Sequence, residues 1–420
     1  MLRTTWLQQY CKIYQAKKKG LQDMKFEYKI IDRLLRTLIE KYLFEIAMGL
    51  LVLLSILIRV HLAPVCVLSP DYKNYFLPWV EEYRRLGVVG GLAQTIGDYY
   101  VPYNVMLSLM SVLPWEPYAL IAFTSCLAEY IGAFFIYKIV VLLLQRRNAE
   151  YIREKAAGIA ILTLYFPMAI LNGSLWKQSD AIYACFVIIS IYFLILKKHT
   201  RAFIFLALGF CFKLQVIFAL PIFIIAYVIW GEFSIFQFLW IPGMYVLTGI
   251  PAILCGRPIK ATYKVYLGQV AEYGGMSINT PNIYNFGLTD YPALSKPAIM
   301  TTIAVLIAIT VYCYKMKERI DFQKFIYLSA WVIWTCFMFL PGMHERYDYA
   351  AIVLISAYVL AVRRKLLYVP IILNLCSTMT YSNYLFGAGV PYMIYTIPYC
   401  VAYFATTIDL LQELKSRKVE

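Results

Sequence analysis

Long apolar runs separated by short clusters of lysine and arginine are the feature that most constrains how this chain folds. A membrane-spanning helix needs about 20 predominantly apolar residues, and runs of this kind recur from residue 42 onward. Hydrophobic residues make up 61% of the 420 residues and charged residues only 15%. A soluble domain is about 25% charged. We therefore predict an all-α polytopic membrane protein.

The apolar runs predict about twelve membrane-spanning helices. They lie near 42–63, 117–144, 157–171, 181–196, 202–212, 215–230, 235–255, 298–315, 323–341, 348–361, 366–380 and 391–411. Residues 202–230 form either two spans or one broken helix pair. Residues 103–113 are too short to cross and are expected to lie along the surface or to re-enter. Residues 1–41 read as a basic amphipathic segment on the cytosolic surface, and 42–420 as the transmembrane domain.

The basic clusters predict the orientation of the chain. They are Arg146-Arg147 with Arg153 and Lys155, Lys197-Lys198, Lys315 to Arg319, Arg363-Arg364-Lys365 and Lys415 to Lys418. These clusters fall in alternate loops, together with the basic N-terminus, so the positive-inside rule assigns them and both termini to the cytoplasm. The net charge of +15 is thus assigned to contact with anionic lipid and not to nucleic acid.

The remaining loops are predicted to face the opposite, extracytoplasmic side. They are 64–116, 172–180, 213–214, 256–297, 342–347 and 381–390, and the first is expected to carry short surface helices. The conspicuous polar motifs all lie in these loops. The sides of the loops were assigned from the basic clusters alone and not from these motifs. The location of all the motifs on one side therefore indicates a single extracytoplasmic site.

The residue types at this site suit group transfer from a phosphate to an alcohol. The carboxylates Asp71 and Asp98 can accept a proton from a hydroxyl nucleophile. Lys213, His344 and Arg346 are candidate cations for a phosphate, which Arg holds by a planar fork and Lys as a point charge. Electrostatic stabilisation of the developing charge can supply much of the rate.

Ordinary structural roles are alternatives for each of these residues. Asp71 fits a solvated loop acid or a helix N-cap, and Asp98 fits the start of a turn. Lys213 could extend its ammonium group to the membrane surface. His344 with its neighbours Glu345 and Arg346 could be an interfacial charge cluster, in which Glu345 neutralises a cation. Asp180 is a candidate N-cap.

Cysteine and histidine usage predicts neither disulfides nor a metal. The ten cysteines include no CxxC pair, and most lie inside apolar runs, where they read as small buried hydrophobic residues. No DxD pair and no His/carboxylate spacing demands a metal ion. We predict no cofactor and metal-independent chemistry.

With these motifs in place, the chain resembles a GT-C-fold glycosyltransferase that uses a polyprenyl-phosphate-linked sugar, over most of residues 42–361. The motifs that carry the resemblance are the first-loop stretch from Ser69-Pro70-Asp71-Tyr72 to Gly90-Gly91, Asp98-Tyr99-Tyr100-Val101-Pro102-Tyr103, Leu175-Trp176-Lys177-Gln178-Ser179-Asp180, Phe212-Lys213-Leu214-Gln215 followed by Leu220-Pro221, and Met343-His344-Glu345-Arg346-Tyr347. The last is similar to an M-H-E-R-Y motif whose counterpart in the eukaryotic dolichyl-phosphate-glucose-dependent glucosyltransferases reads H-E-K. Lys177 replaces the usual glycine and Leu214 stands where proline is common, so the substrate does not carry over.

The resemblance implies roles for individual residues. Asp71 is expected to be the general base, and Lys213, His344 and Arg346 are expected to bind the donor phosphate. Substrate-binding roles are expected for Asp98, Tyr99, Tyr103, Trp176, Gln178, Asp180, Gln215, Asn282 and Glu345. The loop 256–297, with Tyr273, Asn279 and Asn282, would cover the donor or the acceptor.

The resemblance also implies inversion at the anomeric carbon and an acceptor that is a glycan or a lipid-linked precursor. The short loops and the His-Glu-Arg-Tyr form favour a bacterial plasma membrane. Two other functions stay open at this point: a transporter or flippase of a lipid-linked saccharide, and a non-catalytic lipid-binding subunit. Transporters usually place their polar site near the bilayer midplane, whereas the motifs here gather at one face.

Overall fold

The computed structural model describes residues 30–272 and 274–416, and these are almost entirely α-helical. The helices are α1 (Ile30–Leu62), α2 (Leu77–Ala93), α3 (Val101–Val112), α4 (Pro117–Arg146), α5 (Ile152–Leu164), α6 (Pro167–Ile170), α7 (Asp180–Ile195), α8 (His199–Phe212), α9 (Leu220–Trp230), α10 (Trp240–Leu254), α11 (Ile259–Tyr263), α12 (Val265–Glu272), α13 (Tyr291–Lys315), α14 (Phe322–Phe339), α15 (Tyr349–Ala361), α16 (Tyr368–Phe386) and α17 (Tyr392–Lys415). The all-α prediction is confirmed at this level, and the first predicted outer loop carries α2 and α3.

Six of the helices are long and apolar enough to cross a membrane. They are Asp32–Leu62, Pro117–Arg146, Ile235–Leu254, Tyr291–Lys315, Phe322–Phe339 and Tyr392–Lys415. A seventh candidate is α5 with the segment Pro167–Trp176, which are bent by 53° relative to one another. The other predicted spans coincide with shorter apolar helices or, for 366–380, with α16. The chain is therefore a polytopic helical membrane protein by the length and composition of its helices.

Helix α1 contains the point at which the chain divides into two compact units, between Leu51 and Val52. Its backbone leaves helical geometry at Tyr42 (φ −122°, ψ 17°), next to the predicted boundary at 41/42. Of the predicted amphipathic segment 1–41, residues 1–29 lie outside the described part of the chain. Residues 30–41 are helical and continue directly into the predicted span.

Helices α14 and α15 form the centre of the core in the second unit. Every residue from Gln323 to Met338 is buried, and Tyr327 and Trp334 are fully enclosed. Helix α15 packs against α14 and is buried on nearly all sides. Because neighbouring helices cover nearly every face of these two helices, they lie innermost in the second unit.

Prolines and glycines mark several helix boundaries. Pro102, Pro117 and Pro167 stand in the first turn of their helices, where the missing N–H costs nothing and φ is already suitable. Gly231 and Gly387 end α9 and α16 with φ of +62° and +61°, the left-handed conformation that glycine adopts without strain. These signals explain where these five helices begin or end.

Three local breaks in the helical pattern position the polar motifs. Residues Leu171–Trp176 form a π-helical turn after α6, a geometry often found at functional sites. Lys213 is extended (φ −154°, ψ 132°) and separates α8 from the following turn, so residues 202–230 are two segments. A two-residue parallel β pair joins β1 (Ser277–Ile278) to β2 (Met343–His344). That pair was not predicted, and it ties the loop 256–297 to the His-Glu-Arg-Tyr motif.

Candidate active site

Asp71 is held by three neutral hydrogen-bond donors. It lies just before the π-helical turn Tyr72–Phe76 and is 8% exposed. The Trp176 indole donates to its Oδ2 at 3.0 Å, and the Gln178 amide donates to the same oxygen. The Tyr384 hydroxyl donates to Oδ1. Because none of these donors is a cation, the carboxylate is oriented without being paired to a charge.

The turn that brings Trp176 and Gln178 to Asp71 has a left-handed residue at its centre. Lys177 has φ +64° and ψ 32°, a conformation that favours glycine, and it occupies the position where the W-G-Q-x-D motif has glycine. Its ammonium donates to the Leu175 carbonyl at 2.8 Å and lies over the Tyr72 ring at 5.5 Å. The lysine thus keeps the backbone shape of the motif and adds a contact to the residue after Asp71.

Asp180 organises the cations on the other side of the turn. It is the first residue of α7, and the N-cap position is occupied by Ser179, so the N-cap alternative is wrong. Its Oδ1 accepts from Lys213 Nζ at 2.6 Å, and its Oδ2 lies 3.4 Å from Arg346 Nε. Asn172 Nδ2 donates to Oδ2 at 3.1 Å. Two cations from distant parts of the chain are therefore joined at one buried carboxylate.

Burial and charge set the protonation of this cluster. Burial lowers the pKa of Lys213 to about 8, although Asp180 opposes the shift. Burial also disfavours the charge of Arg346, but Asp180, Tyr347 and Glu345 outweigh it and raise the pKa of Arg346 well above its usual value. Burial raises the pKa of Glu345 to about 7, although Arg346 opposes it. Lys213 and Arg346 are thus both protonated at neutral pH.

His344 lies beside the cations but is not one of them. Burial, Arg346 and Lys213 lower the pKa of His344 to about 2, so the imidazole is neutral at physiological pH. The prediction of three cations is corrected to two, because two neighbouring positive charges and a poorly solvated position disfavour a third. A neutral imidazole can still donate a hydrogen bond from its N–H group to a phosphate oxygen.

Trp176 connects the aspartate to the cations. Its indole N–H donates to Asp71, while the Arg346 guanidinium lies 5.2 Å from its ring centroid. The ring also stacks on Tyr384 with centroids 4.6 Å apart. One aromatic side chain therefore lies between the candidate base and the candidate phosphate ligand, and the two belong to one continuous site.

A cavity of about 370 Å³ opens beside the cations. Its polar lining includes Asp98, Tyr99, Lys213, Gln215 and Arg346, and its apolar lining includes Ile217, Phe218, Ile299 and Leu340. Asp71 does not line this cavity as the described residues define it. The cavity therefore combines a charged end with an apolar wall.

Asp98 and Gln215 line this cavity and each has a buried oxygen that the protein leaves unsatisfied. Asp98 Oδ1 and Gln215 Oε1 have no hydrogen-bond partner within 30–272 and 274–416. Burial raises the pKa of the Asp98 carboxyl. A buried polar atom without a partner is costly, so these two side chains carry a cost within the site.

The other predicted site residues have mainly supporting positions. Tyr103 is buried behind Tyr99 and stacks on it with centroids 4.2 Å apart. Asn282 is buried and its Oδ1 accepts from the Tyr284 N–H at 3.2 Å. Asn279 Nδ2 donates to the Thr380 carbonyl at 2.7 Å. Tyr273 lies outside the described residues.

Sequence reasoning missed Asn172, Tyr381 and Tyr384. Asn172 donates to Asp180 and also to the Tyr381 hydroxyl at 3.2 Å. Tyr381 and Tyr384 are three residues apart on one face of α16. The available signal was a pair of tyrosines at helical spacing within 381–390, which was predicted to be an extracytoplasmic loop, whereas 381–386 form the end of α16.

The cysteines and acidic residues form no evident metal centre. The nine cysteines in the described ranges are free thiols. No group of three or more His, Cys, Asp or Glu side chains in those ranges is arranged to hold a metal ion. The predicted metal independence stays a prediction.

Known proteins do not identify this arrangement of residues. The chain matches no protein-family model, and it matches no curated protein.

Proposed function

We propose that this protein transfers a sugar from a polyprenyl-phosphate-linked donor to a hydroxyl group of an acceptor. The observation that carries the proposal is the juxtaposition of Asp71, oriented by three neutral donors, with Lys213 and Arg346 at the end of a cavity. Trp176 touches both groups. A base and a pair of cations on one site are the groups that sugar transfer from a phosphate requires.

In the proposed reaction Asp71 accepts the proton of the acceptor hydroxyl. The hydroxyl oxygen forms a bond to the anomeric carbon, and the bond from that carbon to the phosphate oxygen breaks. The phosphate leaves with the electron pair, and Lys213 and Arg346 stabilise its developing charge. Attack on the face opposite the leaving group inverts the anomeric carbon, as the family resemblance implies.

The remaining residues serve the donor and its sugar. His344, as a neutral hydrogen-bonding group, supports the phosphate site. Asp98, Tyr99 and Gln215 line the cavity that takes the sugar. The apolar wall of the cavity takes the first part of the polyprenyl chain.

The proposed topology has about twelve spans, with both termini in the cytoplasm and the site on the extracytoplasmic face. It is supported by the alternation of basic clusters along the sequence. The shorter helices, such as α7, α8 and α15, would then cross inside the bundle, where neighbouring helices replace lipid. We assign the protein to a bacterial plasma membrane on the length of its loops and the form of its His-Glu-Arg-Tyr motif.

The test is turnover of a panel of polyprenyl-phosphate sugars by the purified protein, scored as release of polyprenyl phosphate. The Asp71→Asn variant serves as the inactive control. Release that depends on Asp71 and on an added acceptor supports the proposal. Movement of an intact lipid-linked saccharide across vesicles, without release, would instead identify a transporter or flippase. Binding without either activity would identify a non-catalytic subunit.

A further inference from the structure

Lys177 combines two features that are each unfavourable for a lysine. Its backbone is left-handed, with φ +64°, a conformation that residues with a side chain adopt only under strain. Its side chain is fully buried, and within 30–272 and 274–416 the ammonium group forms no ion pair with a carboxylate. The glycine of the W-G-Q-x-D motif would avoid both costs. A costly conformation that persists at a site suggests a role there.

The ammonium group caps the end of the π-helical turn Leu171–Trp176. Lys177 is the residue that ends this turn, and its Nζ donates to the Leu175 carbonyl at 2.8 Å and to the Ser174 carbonyl at 3.4 Å. The last carbonyl groups of a helical segment have no partner within the segment. A lysine near the end can satisfy them with its side chain. The lysine side chain therefore stabilises the turn that its own backbone ends.

The residues before and after Lys177 are the two that hold one oxygen of the candidate base. Trp176 and Gln178 both donate to Asp71 Oδ2. The left-handed residue between them turns the chain, so that both side chains reach the same oxygen. A change in the backbone at Lys177 would consequently move both hydrogen-bond donors at once.

The lysine side chain also contacts the segment that carries the base. Its Nζ lies 5.5 Å from the centroid of the Tyr72 ring, which is within the range of a cation–π contact. Tyr72 is the residue after Asp71 and is itself buried. One ammonium group thus contacts both the turn that carries the two donors and the segment that carries the carboxylate.

We propose that Lys177 is a positioning residue for the candidate base. Its buried ammonium fixes the turn Leu171–Trp176 against the segment of Asp71, so that Trp176 and Gln178 hold the carboxylate in the direction from which it accepts the proton. This inference rests on the proposed sugar transfer. Because Lys177 is enclosed by the protein, its effect is on turnover and not on the binding of either substrate.

The test removes the ammonium group but keeps the space filled. Lys177→Met retains an unbranched side chain of similar length without the charge or the N–H donors. The matched control is Lys324→Met, because Lys324 is also buried and its Nζ donates to the Ser416 carbonyl at 2.7 Å. Lys324 stands in the first turn of α14, whereas Leu340, which follows the last turn of that helix, lines the cavity.

We expect Lys177→Met to lower kcat for release of polyprenyl phosphate by about fivefold, the effect of losing one hydrogen-bonded anchor. The KM values for donor and acceptor should not change. The midpoint of thermal unfolding should not fall, since an apolar side chain in place of a buried charge removes a desolvation cost. Lys324→Met should leave kcat unchanged.

A measurement without turnover accompanies the kinetics. The indole N–H resonance of Trp176, assigned by its loss in Trp176→Phe, reports the hydrogen bond to Asp71. It should shift in Lys177→Met and stay in place in Lys324→Met. Lys177→Gly keeps the test valid if Lys177→Met does not fold, because glycine adopts the left-handed conformation without strain. It should show the same loss of kcat with unchanged KM values.

Three outcomes would overturn the inference. They are a wild-type kcat in the folded Lys177 variants, a Trp176 resonance that does not respond, and a loss of kcat in Lys177→Met that is accompanied by higher KM values and a lower unfolding midpoint. The last would make the lysine merely structural. In each case wild-type release continues and the sugar transfer stands. Absence of any release by the wild-type protein rejects the sugar transfer, and this inference with it.

Discussion

The two halves of the candidate site handle buried charge in different ways. In the aspartate half (Asp71, Trp176, Gln178 and Tyr384), a carboxylate is held by neutral N–H and O–H groups. In the cation half (Asp180, Lys213, Glu345 and Arg346), charges are paired with each other at 2.6–3.4 Å. The first arrangement fixes the direction of the carboxylate without compensating its charge by a cation. The second offsets the cost of burying the cations, which bind a phosphate in the proposed function.

This contrast distinguishes the two buried aspartates by the charge of their partners. A carboxylate paired directly with Lys or Arg has its charge compensated by a cation. Asp180 is in that position, and Asp71 is not. Under the proposed sugar transfer, this difference favours Asp71 as the base and Asp180 as the residue that holds the two cations.

The largest expected effect separates Asp71 from the other loop aspartate. Asp71→Asn should lower kcat by about a thousandfold, as expected when a general base is removed, with donor KM nearly unchanged. The matched variant Asp98→Asn should have a smaller effect on kcat, because Asp98 lines the cavity without contacting the aspartate half. Steady-state kinetics with the active donor measures both. A larger loss in Asp98→Asn than in Asp71→Asn would transfer the role of base to Asp98.

The next effect tests the cation half. Arg346→Ala should raise the donor KM by about a hundredfold, through the loss of a charge-assisted contact to phosphate, and should change the acceptor KM much less. Arg346→Lys is the matched control and should recover part of the affinity, since it retains the charge but not the fork. Equal loss of affinity for donor and acceptor would indicate that Arg346 is purely structural.

A smaller effect tests the orientation of the base. Tyr384→Phe removes the donor to Asp71 Oδ1 and should reduce kcat by about tenfold, with both KM values preserved. Tyr381→Phe is its counterpart on the same helix, because Tyr381 contacts Asn172 and packs edge-on against Trp176 but makes no hydrogen bond to Asp71. If both variants behave alike, the effect comes from packing around Trp176 and not from the hydrogen bond.

The smallest effect is a pH dependence of donor binding. The Lys213 ammonium loses its proton as pH rises through its pKa of about 8, so a cation present at neutral pH is lost in mild alkali. The donor KM should increase by roughly fivefold between about pH 7 and 9, with Arg346 retaining the rest of the affinity. Lys213→Arg should remove the part of this dependence above about pH 8, since arginine does not titrate in this range, whereas Glu345, with a pKa of about 7, changes charge mainly below it. A wild-type profile that is flat over this range would exclude Lys213 from the phosphate site.

The sequence was most informative about residues whose roles follow from local pattern. Apolar runs predicted the helices, since a segment in a bilayer must satisfy its backbone N–H and C=O groups by hydrogen bonds within the segment. The extended break at Lys213 and the Trp176–Asp180 motif fell between such runs. They were therefore predicted to be near the site before their contacts were known.

The sequence was least informative about contacts between distant segments and about charge. Tyr384 lies 313 residues from Asp71, and no periodicity in either segment indicates that they meet. His344 was predicted to be a cation because histidine often is one near neutral pH. Its neutrality follows from burial beside Lys213 and Arg346, which a linear sequence does not show.

By itself, the sequence determined that the chain is a helical membrane protein with its polar motifs at the ends of helices, because hydrophobic length and the placement of charge are one-dimensional properties. Only the tertiary structure decided which carboxylate is paired with cations and which is held by neutral hydrogen-bond donors. Asp71 and Asp180 look alike in the sequence. The packing of the helices places Trp176, Gln178 and Tyr384 around Asp71. It places Lys213 and Arg346 around Asp180, and these partners make the two residues different.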